Sequence, residues 1–119
     1  ATEGDTEVRI PLADIPLTRN GSIGFQVENA MSSIAAAWAL GIDLAVIRRA
    51  LADFVNDAGT APGRFNVFDY KGATLIADSG HNPDAMRALV TAVNAMPAPE
   101  GQQRVVVISG AGDRRDSDI

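Results

Sequence analysis

Cysteine is absent from this chain of 119 residues, and histidine occurs only once. The lack of cysteine excludes disulfide bonds, thiolate zinc sites and a catalytic thiol. A single histidine cannot build a histidine-cluster metal site. A divalent metal would therefore need carboxylates, hydroxyls or a bound phosphate as ligands, which suits Mg²⁺.

The chain also lacks long apolar runs and an excess of positive charge. Its longest uncharged apolar stretch, residues 29–42, is shorter than the roughly 20 residues of a membrane span, and we find no hydrophobic signal segment. The 15 acidic residues outnumber the 10 basic ones, which gives a net charge of −5 and argues against a general nucleic-acid binder. We therefore expect a cytoplasmic protein that binds neither membranes nor nucleic acids. Because the chain lacks an initiator methionine and stops soon after a strand pattern, we interpret it as a fragment.

The composition, 46% hydrophobic and 21% charged, is that of a globular protein. Apolar residues at helical spacing predict a helix from about Val27 to Leu40, and the alanine run 35–37 predicts burial on most of its sides. Asp43 is a suitable N-cap for a second helix, so the first half forms an αα-hairpin. The turn-forming residues 56–63 are interpreted as a linker.

The pattern changes after the linker. It predicts strands at 65–68 and 73–77, separated by a turn, and then a helix that begins at Pro83. The valine-rich run 104–109 predicts a strand buried on both faces. Strand, helix and strand at this spacing form a βαβ unit with a right-handed crossover, so the fold class is α/β.

Two polar loops follow predicted strands and would lie at the same edge of a parallel sheet, where ligands bind. Together they supply carboxylates, one imidazole, two guanidiniums and glycine amides, which suit a polar or phosphorylated ligand. Taken alone, the first loop also fits a helix N-terminus, and the second fits a solvated run of charges. The loops are Asp78-Ser79-Gly80-His81-Asn82-Pro83 and Gly110-Ala111-Gly112-Asp113-Arg114-Arg115-Asp116.

Four segments, taken in order, resemble the Mur ligase superfamily. They match the end of its central ATPase domain and the start of its C-terminal domain, which divides the chain into residues 1–61 and 62–119. The resemblance implies an αα-hairpin from the central domain followed by part of a Rossmann-like βαβ domain. The segments are Gln26-Val27-Glu28-Asn29-Ala30, Pro62-Gly63-Arg64-Phe65 and the two polar loops.

The resemblance implies an ATP-dependent amide ligase that uses Mg²⁺. In such enzymes ATP phosphorylates a carboxylate, and an amine then displaces the phosphate from the acyl phosphate. Residues 15–18, 62–66 and 112–116 resemble the members that join arginine to aspartate side chains of a polypeptide. Arginine and an aspartate-containing acceptor are then the implied partners of a full-length protein that forms homo-oligomers.

Three alternatives remain open at this point. The first is another Mur-type ligase, acting on a peptidoglycan precursor or a folyl-polyglutamate. The second is a relative that polymerises an aspartate–arginine dipeptide and has a decayed Mur site. The third is a non-catalytic scaffold module.

The family's functional residues carry over as implied roles. Asn29 matches the asparagine that contacts adenine, and Asp78 matches the aspartate that accepts hydrogen bonds from the ribose hydroxyls. Arg64 matches the arginine that closes over the ATP phosphates. His81, which Asn82 follows, matches a loop histidine near the phosphates and is the candidate for a catalytic role. The residues implied to face the amino-acid substrate are Asp113, Arg114 and Asp116.

Two features depart from the family pattern. The phosphate-binding loop, G-x-G-K-[ST], and the metal ligands of the central domain are missing, so we expect the chain alone to be inactive. Ser79 stands where many relatives carry tyrosine, which removes an aromatic surface beside the nucleotide. That change fits either an altered substrate or a decayed site.

Overall fold

A computed structural model describes residues 2–3, 6–98, 101–105 and 107. The described residues form a mixed α/β fold, as the sequence predicts. Two short 3₁₀ helices, Leu12–Asp14 and Pro16–Thr18, precede the first α-helix. In chain order the other elements are β1 (Thr2–Glu3), β2 (Thr6–Glu7), α1 (Gly24–Ala39), α2 (Leu44–Asp53), β3 (Asn66–Tyr70), β4 (Ala73–Ala77) and α3 (Pro83–Ala95).

The predicted αα-hairpin is formed by α1 and α2. Gly41 lies just after α1 with a φ of 78°, a left-handed conformation that favours glycine at a helix end. Asp43 caps α2, since its Oδ1 accepts a hydrogen bond from Ala45 N at 2.7 Å. The two helices pack through Ile34 and Ile47, which both belong to one buried cluster.

The α1 helix is less buried than its alanine-rich sequence predicts. Its buried residues are Gln26, Ala30 and Ile34, which follow one another at intervals of four along a single stripe. Met31 is 61% exposed, so the prediction of burial on most sides is wrong for the structure described. The reason is that the described elements cover α1 from one direction only.

None of the described helices is long and apolar enough to cross a bilayer.

The hairpin of β3 and β4 follows the sequence prediction closely. The strands pair antiparallel, with Asn66 opposite Ala77. Lys71 and Gly72 both have positive φ, at 52° and 80°, as a two-residue turn of type I′ requires. The local turn chemistry therefore fixes the register of this hairpin.

The second strand of the predicted βαβ unit does not form in the described part of the chain. Residues 104, 105 and 107 belong to no strand, and Val105 and Val107 are 77% and 82% exposed. The other residues of this run, 106, 108 and 109, lie outside the described residues. A β-branched run becomes a strand only beside a partner, and the two sheets among the described residues, β1–β2 and β3–β4, contain two antiparallel strands each.

Two buried apolar clusters hold the described elements together. The first joins α1 to α2 and consists of Ile15, Ala30, Ile34 and Ile47. The second, called here the Phe65 cluster, consists of Ile23, Phe65 and Ala92. Within it, Phe65 meets Phe25 edge-on, with ring centroids 5.6 Å apart. The Phe65 cluster joins the start of α1 to the hairpin and α3, across the boundary that we predict between residues 61 and 62.

Candidate functional site

A cleft of about 360 Å³ opens where the start of α1, the loops flanking the β3–β4 hairpin and the first turns of α3 meet. This volume lies in the range of pockets that hold small organic ligands. The Phe65 cluster lies beneath these elements and sets their relative positions. The cleft lining includes four of the residues that the sequence assigns to a nucleotide: Asn29, Arg64, Asp78 and His81.

The Asp78 carboxylate ties together the two loops that border the cleft. Its Oδ2 accepts from Phe65 N at 2.9 Å, and its Oδ1 accepts from Gly80 N at 2.8 Å. The bond from Gly80 N lies within the loop of Asp78, so the backbone bond of 2.9 Å from Ser79 N to Gly63 O is the second link between the two loops. A carboxylate has about four acceptor positions, so Asp78 can still accept hydrogen bonds from a ligand.

Two asparagines hold the loop that carries Arg64. The buried Asn66 accepts from Gly63 N at 2.8 Å and donates through Nδ2 to Ala61 O at 2.9 Å. Asn56 Nδ2 donates to Arg64 O at 2.9 Å. The Arg64 side chain is exposed at the cleft and makes no ion pair in the structure described. Its guanidinium is thus available for phosphate or carboxylate oxygens.

A tight turn precedes this loop and positions Ala61, which also lines the cleft. Asp57 Oδ1 accepts from Thr60 N at 2.7 Å and from Gly59 N at 2.9 Å, and Asp57 O accepts from Ala61 N. The hydrogen bonds from Thr60 hold the pKa of the Asp57 carboxyl below its usual value. The predicted linker is therefore an ordered turn.

His81 and Asn82 are neighbours in sequence but have different positions. His81 is exposed and lines the cleft. Asn82 is instead the N-cap of α3, because its Oδ1 accepts from Ala85 N at 2.8 Å. Helix capping accounts for Asn82 without a ligand, and its assignment to nucleotide binding stays a prediction.

The second polar loop cannot be placed relative to the cleft. Asp113, Arg114 and Asp116 lie outside the described residues. Their assignment to the amino-acid substrate therefore stays a prediction.

The described residues provide no set of side chains for a metal ion. They contain no group of three or more histidine, cysteine, aspartate or glutamate residues that could hold one. The carboxylates that line the cleft belong to Glu28 and Asp78, and Asp78 already accepts two backbone hydrogen bonds. Mg²⁺ is therefore not assigned to ligands among these residues.

The structure adds two residues to the site that the sequence did not single out. Gln26 is only 4% exposed, lines the cleft and accepts at Oε1 from Asn29 Nδ2 at 3.0 Å. Asn56 also lines the cleft, and its buried Oδ1 has no hydrogen-bond partner in the described part of the chain. Residues three apart on a helix lie on the same side of it, so the sequence could have indicated that Gln26 lies beside Asn29. The sequence carried no comparable signal for Asn56.

Comparison with known proteins identifies the family. The family profile "Mur ligase, glutamate ligase domain" matches residues 63–118. The chain is 36% identical over 118 residues to the cyanophycin synthetases of Geminocystis herdmanii and Synechocystis sp., a match that covers 98% of this chain. The chain belongs to the Mur ligase superfamily. This Mur ligase chain spans 13% of the length of those two relatives.

A second group of ligases is also similar to this Mur ligase chain. It is 30% identical over 114 residues to the UDP-N-acetylmuramoyl-L-alanyl-D-glutamate–2,6-diaminopimelate ligase of Trichormus variabilis, covering 96% of this chain and 20% of that enzyme. Both groups of relatives match the helical hairpin as well as the β3–β4 region. The site described above thus lies in a ligase enzyme family.

Replacing Gly63 of this Mur ligase chain by alanine should lower the free energy of unfolding by about 2 to 3 kcal/mol. Gly63 has a φ of 69°, and an added Cβ would overlap Ser79 Oγ. Gly72→Ala is the matched control, because Gly72 has a φ of 80° and nothing within 4 Å of an added Cβ. Gly72→Ala should lower the free energy of unfolding by only about 1 kcal/mol. Equal losses in urea denaturation of the two variants would show that the contact with Ser79 is unimportant.

Replacing Asp78 by alanine should lower the free energy of unfolding by about 2 to 3 kcal/mol. The variant leaves the N–H of the buried Phe65 without its acceptor and removes one of the two hydrogen bonds that join the loops of the cleft. Asp69→Ala is the control, since Asp69 is exposed on β3, and it should change stability by less than about 0.5 kcal/mol. Thermal or urea denaturation measures both. Two variants of equal stability would contradict the role given to the Asp78 carboxylate.

Proposed function

We propose that this chain forms one wall of the nucleotide site in an ATP-dependent amide ligase that resembles cyanophycin synthetase. The supporting observation is the cleft, which gathers Asn29, Arg64, Asp78 and His81 from both halves of the chain. In this proposal Asn29 contacts the adenine, and Asp78 accepts from the ribose hydroxyls. Arg64 and His81 lie near the phosphates.

The proposed reaction makes an amide from an unreactive carboxylate. A carboxylate oxygen attacks the γ-phosphorus of ATP and ADP leaves, which gives an acyl phosphate. The α-amine of the amino acid then attacks the acyl carbon, phosphate leaves, and the amine loses a proton as the amide forms. The enzyme acts mainly by positioning the reactants and neutralising phosphate charge.

Within this chain, Arg64 is the residue suited to charge neutralisation. Its backbone is held by Asn56 while its side chain stays exposed at the cleft, so the guanidinium can contact phosphate oxygens. Asp78 Oδ2 accepts from the backbone N–H of Phe65, the residue after Arg64, and both Asp78 and Arg64 line the cleft. No step is assigned to Mg²⁺ here, because the described residues form no metal site.

We further propose arginine as the amine and an aspartate-containing polypeptide as the acceptor, with Asp113, Arg114 and Asp116 facing the amino acid. The identity of 36% to two cyanophycin synthetases supports this choice. The full-length protein is proposed to form homo-oligomers in the cytoplasm. Since the sequence has no phosphate-binding loop, the chain alone should not turn over ATP.

A second candidate is a ligase that adds an amino acid to a peptidoglycan precursor. It is favoured by the 30% identity to the diaminopimelate ligase of Trichormus variabilis. The two candidates share the cleft and the acyl-phosphate chemistry and differ in the amine and the acceptor. Substrate dependence of ATP turnover therefore separates them.

The test is phosphate release by the full-length protein that carries this chain, with ATP, Mg²⁺ and a poly-aspartate–arginine primer. We expect arginine to stimulate phosphate release only when the primer is present. Stimulation by diaminopimelate with a peptidoglycan precursor would favour the second candidate. If no amine and acceptor pair stimulates phosphate release, the ligase proposal is wrong.

A further inference from the structure

We propose that Asn20 is a site of spontaneous deamidation, and that the buried hydroxyl of Thr18 protects it while the protein is folded. Asn20 is exposed in the turn before α1, and it is the only asparagine of the sequence that precedes glycine. Because Gly21 has no side chain, nothing on it hinders the approach of its nitrogen to the Asn20 side chain. Neither the turn nor its chemistry depends on the proposed nucleotide site.

The reaction needs no reactant other than water. The backbone nitrogen of Gly21 loses its proton and bonds to the side-chain Cγ of Asn20, and ammonia leaves as a five-membered succinimide ring closes. Water then opens the ring at either of its two carbonyl carbons. One opening gives aspartate. The other gives isoaspartate, in which the main chain runs through the former side chain and is one carbon longer. Both products carry a carboxylate in place of the neutral amide.

The backbone of the turn holds the two reacting groups apart. Asn20 and Gly21 have φ of 56° and 81°, and Ser22 N donates to Arg19 O at 3.2 Å, which is the pattern of a type I′ turn. In such a turn the first central residue has a ψ of about 30°. This ψ directs the next backbone nitrogen away from the Cβ of that residue, whereas ring closure needs the two on the same side. The turn must therefore open before Asn20 can react.

The hydroxyl of Thr18 keeps the attacking nitrogen in the closed turn. Thr18 Oγ1 accepts from Gly21 N at 3.2 Å, so the nitrogen that would attack is already a hydrogen-bond donor. The same hydroxyl has Leu12 O at 3.1 Å and Ile15 O at 2.9 Å as acceptors for its own proton, and Thr18 is 0% exposed. A group fixed by these contacts has little freedom to move. Loss of the hydroxyl would remove one of the bonds that hold the turn closed.

The fold requires the reactive pair of residues at this turn. Gly21 has a positive φ, and a Cβ added to it would lie 2.7 Å from Leu12 Cδ1, so a larger residue does not fit there. Asparagine is among the residues that best tolerate the left-handed conformation found at position 20. The sequence that suits the turn is thus also the sequence most prone to deamidation, and the folded turn provides the protection.

Deamidation to isoaspartate would disturb the start of α1. Ile23 N donates to Thr18 O at 3.2 Å across the turn, and Ile23 is buried in the Phe65 cluster. One extra main-chain carbon between these two residues is incompatible with keeping both the hydrogen bond and the packing. Aspartate keeps the chain length and adds only a charge at an exposed position. We therefore expect the isoaspartate form to unfold at a lower urea concentration than the variant Asn20→Asp.

The experiment follows the mass of the peptide 8–28 during incubation of the full-length protein that carries this chain. Cleavage after glutamate releases this peptide, in which Asn20 is the only asparagine. We expect Asn20 to deamidate at least about tenfold more slowly in the folded protein than in the same protein unfolded in urea. Thr18→Val should raise the rate in the folded protein by about three- to tenfold. Thr18→Ser keeps the hydroxyl and should keep the wild-type rate.

A destabilised variant separates protection by Thr18 from general unfolding. Ile34→Val removes one methylene group from the cluster between α1 and α2, outside the turn. With both variants held under conditions in which circular dichroism shows them folded, Ile34→Val should deamidate at the wild-type rate. An increase as large as that of Thr18→Val would show that reduced stability alone accounts for the effect, and would overturn the role of the hydroxyl.

Other results would also contradict the proposal. Equal rates in the folded and the unfolded wild type would show that the turn does not protect Asn20. A wild-type rate in Thr18→Val would show that the hydroxyl is not the protecting group. Asn20 that stays unmodified in the unfolded protein would not be a deamidation site. Because the peptide mass is measured without nucleotide or substrate, each of these outcomes leaves the proposed ligase function standing.

Discussion

Replacement of Phe65 by alanine should lower the free energy of unfolding by about 3 to 5 kcal/mol, the largest loss expected for a single side chain here. Phe65 is 1% exposed and packs with Ile23 and Ala92 in the cluster that joins the two halves of the chain. It also meets Phe25 edge-on, an arrangement that aromatic pairs favour. Phe65 has a φ of 53°, and alanine would keep that backbone conformation, so the loss measures packing.

The control for this variant lies on the same hairpin. Phe68 is 42% exposed on β3, and Phe68→Ala should lose about 1 kcal/mol or less. Urea denaturation can be followed through Trp38, the single tryptophan, which packs against the cluster between α1 and α2. Because Trp38 lies outside the Phe65 cluster, a shift in its signal also shows that the two halves unfold together. If Phe65→Ala and Phe68→Ala lower the free energy of unfolding equally, Phe65 does not have the structural role described here.

Replacement of Arg64 by alanine should lower kcat for phosphate release by the full-length ligase by about 10²- to 10³-fold. The guanidinium is the exposed cation in the cleft lining, and in the proposed reaction it neutralises charge on the phosphates. The loop should keep its shape in the variant, because Asn56 bonds to the backbone oxygen of Arg64 and not to its side chain. Arg64→Lys keeps the positive charge but cannot donate two parallel hydrogen bonds to phosphate oxygens, so its kcat should fall by about tenfold.

Arg87→Ala provides the matched control for the removal of an arginine. Arg87 is exposed on α3, is paired with Asp84 and does not line the cleft. Arg87→Ala should leave kcat unchanged, because Arg87 lies outside the cleft and an exposed ion pair of this kind contributes little to stability. Circular dichroism of both variants confirms that they fold. If Arg64→Ala and Arg87→Ala retain the same kcat, Arg64 has no role in phosphate binding.

Local sequence signals were sufficient for most of the fold. The Asp43 cap, the Lys71-Gly72 turn and the start of α3 at Pro83 lie where the sequence predicts them, because each depends on residues close in the chain. The strand predicted at 104–109 is not seen at residues 104, 105 and 107, which are those of the run that the structure describes, and α1 is less buried than predicted. Both depend on neighbouring strands and helices that local patterns do not specify, and the described residues supply few such neighbours.

The candidate site shows the same division. Asn29, Arg64, Asp78 and His81 came from the resemblance to the family, and the structure brings them to one cleft, although their contacts with a nucleotide remain predictions. The hydrogen bond from Asn29 to Gln26 could not be derived from the sequence. It depends on the burial of one amide and on the orientation of the other, which only the packed helix defines.

Photolabelling of the full-length protein with 8-azido-ATP tests the central claim most directly, because the label reacts beside the bound base. The residues that line the cleft fall on five tryptic peptides, which are residues 10–19, 20–48, 50–64, 72–87 and 88–104. We expect labelling of peptide 20–48, which carries Gln26 and Asn29, and its suppression by an excess of ATP. Labelling confined to peptides outside these five, in a protein that turns over ATP, would contradict the nucleotide site described here.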